Sequence, residues 1–505
     1  MAEHLRSLPF FVLLMGCGAA MMLLPAVHAV VLEDFVTMRV FFYGAILFGI
    51  LTFIVGLATA GYEPPDLARS HLLTLATSFL FLPLMFAVPF AEAVGNTSFL
   101  DAWFEMISSF TTTGATVYDN AGRLSPSQHL WRATVGWMGG FLIWVTAFAI
   151  FAPLNMGGFE VRAVSLSEGT AAGSVARLSR GPDTANRLSR YAGQLLPIYV
   201  GLTALLWLGL VVFGEFPYIA LCHAMSILST SGISPIGGVY YAASGFWGEL
   251  LMMAFFVFAI TRLTFSKGIL TETDGHLWAD PEIKVAIALI LGVTSLLFLR
   301  HFVGAIGEDD TLIGALSAFW GALFTVTSFV TTTGFESRFW DGATDWSGLE
   351  TPGLFLIGVA MIGGGVATTA GGVKLLRVYA LFRHSERELE RLLHPSSVGG
   401  GGREARRIRK QGAYVSWLFF MLFALSISAV LVLLSLTGVQ FETSMVLAVS
   451  ALSTTGPLAS VAGESPILYS GIPDAAKVVL ALAMVLGRLE TLAMIALFNP
   501  ELWRN

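Results

Sequence analysis

Charge is what this chain has least of. Only 12% of its 505 residues are Asp, Glu, Lys or Arg, about half the usual share of a soluble domain, while 55% are hydrophobic. With a mean hydropathy of +0.75, that scarcity excludes an ordinary soluble fold and leaves a polytopic membrane protein. Cysteine is nearly absent too. Cys17 and Cys222, both in apolar segments, exclude a disulfide framework and a Cys-rich metal site. A net charge of −6 gives no argument for a nucleic-acid partner, and none is expected; polarity has to be read loop by loop. Catalytic signatures are missing as well. There is no Gly-x-Ser-x-Gly elbow, no His-Glu-x-x-His and no aspartate pair within the spans, so an intramembrane hydrolase would lack its nucleophile and base.

What the chain does contain is one seven-residue phrase written four times. Ser108-Ser109-Phe110-Thr111-Thr112-Thr113-Gly114 recurs from Ser226 to Gly232 as Ser-Ile-Leu-Ser-Thr-Ser-Gly. It returns from Ser328 to Gly334 as Ser-Phe-Val-Thr-Thr-Thr-Gly, and from Ser450 to Gly456 as Ser-Ala-Leu-Ser-Thr-Thr-Gly. A single match arises by chance in roughly one chain of this length in a few hundred. Four copies, 118, 102 and 122 residues apart, mean an internally repeated architecture.

Apolar stretches of about 20 residues mark membrane-spanning helices. They lie near 10–30, 40–60, 71–90, 131–152, 191–213, 246–265, 283–302, 354–379, 414–436 and 475–498. Ala26 to Ala29 resembles a signal cleavage site, but the apolar run before it is longer than a typical signal core, so a retained first helix is expected. Shorter apolar runs at 99–110, 216–228, 312–330 and 441–452 each precede a phrase. A re-entrant helix that enters and leaves by the same face fits them. The expected fold is therefore an all-α polytopic membrane protein with four pseudo-symmetric helix–pore helix–helix repeats around one pore, plus two leading transmembrane helices. The boundaries read as 1–66 for the leading pair, then 67–156, 188–266 and 281–380 for three pore repeats. A cytoplasmic linker over 381–410 and a fourth repeat over 411–499 complete the chain.

Seventeen basic residues fall in the loops that join successive repeats, nine of them between Arg377 and Lys410; the opposite side holds Arg123, Arg132, Arg300, Arg338 and Lys477. The basic side is expected to be cytoplasmic, so the four phrases open outward. Acids follow them there (Asp119, Glu336, Asp341, Asp345, Glu350 and Glu464); they either concentrate cations or are ordinary solvated loop charge. The Gly-rich stretch Ser396 to Arg403 reads as a flexible connection or a docking segment.

A dehydrated alkali cation needs several weak, uncharged oxygen ligands, which rings of backbone carbonyls supply. Four phrases around one axis would stack such rings from Thr112, Thr113 and Gly114, Thr230, Ser231 and Gly232, Thr332, Thr333 and Gly334, and Thr454, Thr455 and Gly456. Glycine permits the backbone angles that aim them inward, and the C-terminal ends of the re-entrant helices add partial negative charge. Ser108, Ser226, Ser328 and Ser450 are expected to hydrogen-bond within their own repeats. The competing reading is a set of small-residue packing motifs.

On these residues the chain resembles the membrane subunit of the Trk/Ktr/HKT superfamily of potassium transporters, and most closely the bacterial Trk-type potassium uptake subunit with its two extra leading helices. The resemblance spans essentially the whole chain. It places the filter glycine on Gly114, Gly232, Gly334 and Gly456. Serine at the first of these is associated with sodium-permeable relatives; glycine at all four favours potassium. The second copy, and the fourth with Pro457 after its glycine, depart from the first and third. The resemblance implies passive potassium uptake across the bacterial inner membrane, gated from the cytosol, with the filter side facing the periplasm. The transported K+ would be the only ligand, with no covalent cofactor and no nucleotide on this chain. The partners it implies are a second copy in a homodimer, the lipid bilayer, and cytosolic TrkA-like nucleotide-binding regulatory subunits. A sodium-coupled or sodium-permeable transporter is the alternative.

Two further features bear on gating. Gly363-Gly364-Gly365-Val-Ala-Thr368-Thr369-Ala-Gly371-Gly372-Val-Lys374 places too many glycines in one span for a continuous helix. The break is expected to form a loop beneath the filter, similar to the family's intramembrane gating loop; close helix packing is the alternative. Arg488 lies within the last span, where a cation should face protein or water. By resemblance it projects into the ion path as an electrostatic barrier, and a structural ion pair with Glu490 or a neighbouring acid is the alternative. His223, in the second re-entrant run, is expected to be a satisfied buried histidine rather than a ligand.

Overall fold

The computed structural model describes residues 9–61, 67–152, 154, 156–161, 183–261, 280–304, 312–349, 351–394 and 410–490. The Gly-rich stretch from Ser396 to Arg403, the basic runs within 162–180 and 403–409, and the end of the last span beyond Glu490 lie outside the described residues.

The first span is two helices, α1 (Phe10–Met21) and α2 (Leu23–Val31). They part at Met22, because Pro25 has no N–H to give the carbonyl four residues earlier. Asp34 caps α3 (Phe35–Ala58) through Thr37 N, and the hairpin packs against α4 (Leu67–Val94). Then comes α5 (Phe99–Phe110), started by the Ser98 hydroxyl accepting from Asp101 N. The phrase follows, and α6 (Pro126–Thr146) begins with a Ser125–Gln128 capping box. The second unit is α7 (Asp183–Val212), α8 (Pro217–Ser229) with proline at its first position, and α9 (Gly245–Ile260). The third is α10 (Pro281–Gly304), α11 (Leu312–Val330), an outer α12 (Trp340–Ser347), and a broken pair, α13 (Gly353–Ile362) and α14 (Leu375–Leu393). The fourth is α15 (Lys410–Leu436), α16 (Phe441–Leu452), a single turn α17 (Leu458–Val461) and α18 (Asp474–Leu489).

Eight helical segments among the described residues are long and apolar enough to cross a membrane. Seven coincide with expected spans. The other is α11, which at 19 residues is long enough to cross but ends on its phrase as the 12- and 13-residue α5, α8 and α16 do. Its extra turns expose Leu312, Ile313 and Leu316, an apolar end that made its length hard to read. The span expected over 354–379 is divided at the glycines, and α18 is described only as far as Leu489.

Burial sorts these helices into two rings. The most apolar windows of α7, α10 and α15, which open units two to four, are 28% buried, whereas that of α6 is 78% buried. The opening helices of units two to four therefore lie largely exposed on the outside of the bundle, and α6 lies within it. The opening helix of unit one, α4, is 61% buried, because α1 and α3 cover it. Phe86 on α4 fits against Gly18, where a Cβ would strike its ring.

Candidate ion pathway

Each phrase begins in the last turn of a pore helix and then leaves it by the same backbone path. The N–H of the sixth phrase residue turns back to the first serine's carbonyl in every copy: Thr113 to Ser108 at 2.8 Å, and Ser231 to Ser226, Thr333 to Ser328 and Thr455 to Ser450 at 2.9 Å each. The residue before it is left-handed in every copy, with φ of 56° at Thr112, 53° at Thr230, 57° at Thr332 and 55° at Thr454. Left-handed threonine is a backbone outlier of the kind that persists only where the surroundings enforce it. The hydroxyls flanking it also pair in each copy: Thr111 with Thr113, Ser229 with Ser231, Thr331 with Thr333, and Ser453 with Thr455, at 2.8 to 3.3 Å.

This path decides where the carbonyls go. In a trans peptide the C=O points opposite to the N–H that shares its plane. With Thr113 N–H aimed into its own helix, the Thr112 carbonyl must point away from it, and the same holds in the other three units. In units one and three the glycine N–H also turns back, Gly114 to Ser108 and Gly334 to Ser328 at 3.4 and 3.3 Å, so the Thr113 and Thr333 carbonyls face away as well. The fourth copy departs. Of the four phrase glycines Gly456 alone lacks positive φ, and its N–H donates at 2.6 Å to the Thr113 carbonyl of unit one. Pro457 then reaches across the mouth: a Cβ on Gly232 or Gly334 would lie 3.0 Å from its ring. Gly114 has φ +75°, and a Cβ there would overlap the Ser231 carbonyl oxygen, so the strands admit nothing larger at that position.

The four leading serines bond within their units, as expected. Ser108 donates to Ala115 O at 2.6 Å, Ser226 accepts from the Ser231 hydroxyl at 3.3 Å, Ser328 accepts from Phe335 N at 2.7 Å and Ser450 donates to Thr455 O at 2.9 Å.

The glycine-rich break between α13 and α14 folds into a loop directly beneath the strands. Val373 N and Lys374 N bond back to Met361 O and Ile362 O, at 2.9 and 2.8 Å, which closes its neck. Its tip is tied to three units. Thr369 Oγ1 donates to Leu228 O at the end of α8, and Gly371 N donates to Thr332 Oγ1 at 2.8 Å. On the other side, Arg488 Nη1 on α18 donates to Thr369 O at 2.6 Å. Gly365 N bonds Ala259 O, and Val366 N bonds Glu282 Oε1. A Cβ on Gly371 would overlap Ser453 O and Thr454 Oγ1, so the loop touches the fourth strand too. Gly363 and Gly372 pack backbone on backbone in the same way, Gly364 lies against the Ala370 methyl and Ala259 O, and Thr368 closes a turn on Gly365 O.

Below the loop a cavity is lined by Ile143, Ala147 and Phe151 on one side and by Ala367, Thr368, Lys374, Gly487 and Arg488 on the other. Arg488 is buried, and its Nε and Nη2 have no hydrogen-bond partner among the described residues. The alternative pairing with Glu490 is not what forms. Arg377 takes that carboxylate at 2.8 Å and stacks on Phe419, 3.6 Å from the ring centre. Lys374 Nζ caps the Ala370 carbonyl. Two cations, Arg488 and Lys374, thus stand at the loop.

At the end of the strands away from the loop, Glu336 lies two residues beyond Gly334, with Ser460 of unit four 3.4 Å from its carboxylate. Burial pushes its carboxyl up to about 7; the Ser460 hydroxyl lowers it and the nearby Asp341 charge raises it. Arg132, counted from sequence among outer loop charges, instead sits buried on α6 and pairs with Glu105 at 2.5 Å. His223 meets the Ser234 hydroxyl through Nε2 at 2.9 Å, while its buried Nδ1 has no hydrogen-bond partner among the described residues, so the histidine is only half satisfied. No cluster of His, Cys, Asp or Glu among the described residues has the form of a metal centre.

Four short helices, four backbone strands that share one left-handed turn and a loop packed beneath them define a multi-pass, all-helical membrane transport protein. The chain belongs to the TrkH family of cation transport proteins, whose sequence pattern matches residues 37–504. It is 29% identical over 463 residues to the Trk system potassium uptake protein TrkH of Vibrio parahaemolyticus, covering 87% of this chain and 89% of that one. The TrkH protein of Halomonas elongata is 30% identical over 468 residues, 89% of this chain and 90% of its own. The crystal structure of the potassium transporter TrkH from Vibrio parahaemolyticus superposes with a TM-score of 0.80 at 26% identity, covering 99% of this chain and 100% of that one. The chain is a transporter and not an enzyme.

Proposed function

We propose that this chain carries potassium into the cell, with K+ as cargo coordinated by the backbone carbonyls of the four phrases. The observation that carries the reading is the shared left-handed threonine at 112, 230, 332 and 454, which turns uncharged carbonyls away from each pore helix in all four units. Residues 67–156, 188–266, 281–380 and 411–499 then act as four pore repeats. Thr112, Thr113 and Gly114 with their counterparts form the filter, and the loop from Gly363 to Lys374 together with Arg488 forms the gate. A dehydrated K+ needs several weak oxygen ligands at once, and helix C-termini beneath the strands add negative potential. The names of the related potassium uptake proteins support the same cargo.

The excess of Lys and Arg in the loops joining the repeats supports a filter opening outward from a bacterial inner membrane. Transport is driven by the membrane potential, without a nucleotide on this chain. Regulation falls to cytosolic TrkA-like subunits beneath a homodimer, a reading that rests on the family.

Rescue of growth at limiting potassium, in cells stripped of their own uptake systems, tests the cargo. Purified protein in vesicles should pass K+ in preference to Na+. Sodium flux without potassium flux would establish the sodium-permeable alternative instead.

A further inference from the structure

Behind each filter strand stands a residue whose type is not repeated. The position three residues before each leading serine holds Glu105, His223, Thr325 and Leu447, all fully buried in α5, α8, α11 and α16. Three of these four do the same work. Glu105 Oε2 accepts from Val117 N, and Thr325 Oγ1 accepts from Ser337 N, each at 3.1 Å and twelve residues along the chain. Both N–H groups belong to the third residue after a filter glycine. In unit two the His223 Nε2 meets the Ser234 hydroxyl, which accepts from Ile236 N and donates to Gly238 O at 3.2 and 3.0 Å. That network assigns the imidazole proton to Nε2. Leu447 has no polar atom, and Tyr469 from the outer turn replaces it. Its Oη sits 2.8 Å from Ser450 Oγ and donates to Gly456 O at 3.0 Å.

The Glu105 arrangement is the most elaborate. Its other oxygen pairs with Arg132, whose Nη1 lies 3.1 Å from His129 Nδ1, and His129 Nε2 reaches Ala121 O at 2.8 Å. Filter strand, pore helix, α6 and outer turn are thereby joined. A buried ion pair is a poor way to fill space, since apolar groups of that volume would pack with less desolvation cost. What a carboxylate adds is a charge-assisted grip on a backbone N–H.

We propose that Glu105, His223, Thr325 and Tyr469 are positioning residues that hold the strands leaving the filter, and that Glu105, itself held by Arg132, sets cation selectivity by giving the Val117 N–H of the first strand its acceptor. This rests on reading the phrases as an ion filter. The test measures K+ and Na+ flux separately in vesicles, together with hydrogen exchange at the Val117 amide. Glu105→Ala should lower the K+/Na+ flux ratio about tenfold, the loss expected when a buried N–H forfeits a charged acceptor, and should speed exchange at Val117. Tyr469→Phe and Thr325→Val each lose a neutral hydroxyl and should lower the ratio about two- to fivefold. Glu105→Thr combined with Arg132→Leu removes the ion pair but keeps a hydroxyl acceptor for the Val117 N–H, as Thr325 does for Ser337 N in unit three, and should return both the ratio and the exchange at Val117 towards those of the wild type. Should Glu105→Ala fail to insert, the double variant carries the test, and a ratio well below wild type in it overturns the proposal. Unchanged ratio and unchanged exchange in folded Glu105→Ala also overturn it. A wild-type protein that prefers sodium would defeat the proposed cargo alone, because the shift in ratio on Glu105→Ala would still be read.

Discussion

The pathway above the glycine-rich loop is built four times, and the pathway at and below it is built once. Above, four threonines share one φ within a few degrees and four hydroxyl pairs recur. Below, one broken helix from unit three and one arginine from unit four meet, with no counterpart from the other units. Discrimination between ions needs ligands on all sides, so it favours repetition. Closing a path needs one movable element, and four coupled ones would have to move together. The two halves should therefore fail differently when altered: the upper half in which ion passes, the lower half in how much passes.

The largest expected effect is on the lower half. Unit charges a few ångströms apart interact by about 2–4 kcal/mol at an effective dielectric near 20, so Arg488→Ala should raise unregulated cation flux tenfold or more in vesicles. An unchanged K+/Na+ ratio would sharpen the contrast, and unchanged flux would remove Arg488 from the gate. Next is Gly114→Ser, where φ +75° and the Ser231 carbonyl leave no place for a side chain. A left-handed non-glycine residue costs about 1–2 kcal/mol, so the flux ratio should fall roughly tenfold with total flux less affected. Thr332→Val removes the acceptor of the Gly371 N–H. A neutral hydrogen bond contributes about 1 kcal/mol, so basal flux should rise about fivefold, measured as 86Rb+ uptake, with the ratio near that of the wild type. A change in ratio there would show that the two halves are not separable at their point of contact.

The smallest effect belongs to the outer mouth. Glu336, with its carboxyl at about 7, is largely neutral at pH 6 and largely charged at pH 8. Negative charge at the mouth concentrates cations, so the apparent affinity for K+ should improve by about twofold as external pH rises across that window. Glu336→Gln should flatten the profile. A profile that persists in the variant would assign the effect to another group.

Much of this division was legible in the sequence. The phrase marked the upper half, since Ser, Thr and Gly at fixed offsets stand out against apolar surroundings, and the glycines from Gly363 to Gly372 announced the break between α13 and α14. Arg488 stood out as a charge in an apolar run. Legibility ended where function rests on partners distant in sequence. Glu490 lies next but one to Arg488, yet its carboxylate belongs to Arg377, 113 residues away. The residues behind the filter escaped notice because a carboxylate, an imidazole and a hydroxyl can each serve one N–H or one hydroxyl, so no common letter records the shared task. Arg132 was counted as a loop charge because a single cation near the start of an apolar run gives no sign of the buried Glu105 that receives it. The left-handed threonines were also unforeseen. Composition suggests that glycine carries the unusual angles, whereas here threonine carries them in all four copies and glycine in three.

The Gly456 N–H resting on the Thr113 carbonyl ties the fourth strand to the first. One oxygen has two claimants, an amide of the fourth strand and any ion that arrives. A cation that draws on the Thr113 carbonyl would share that oxygen's lone pairs with the Gly456 amide, so the first and fourth strands would answer to an ion at that position together, through a single atom.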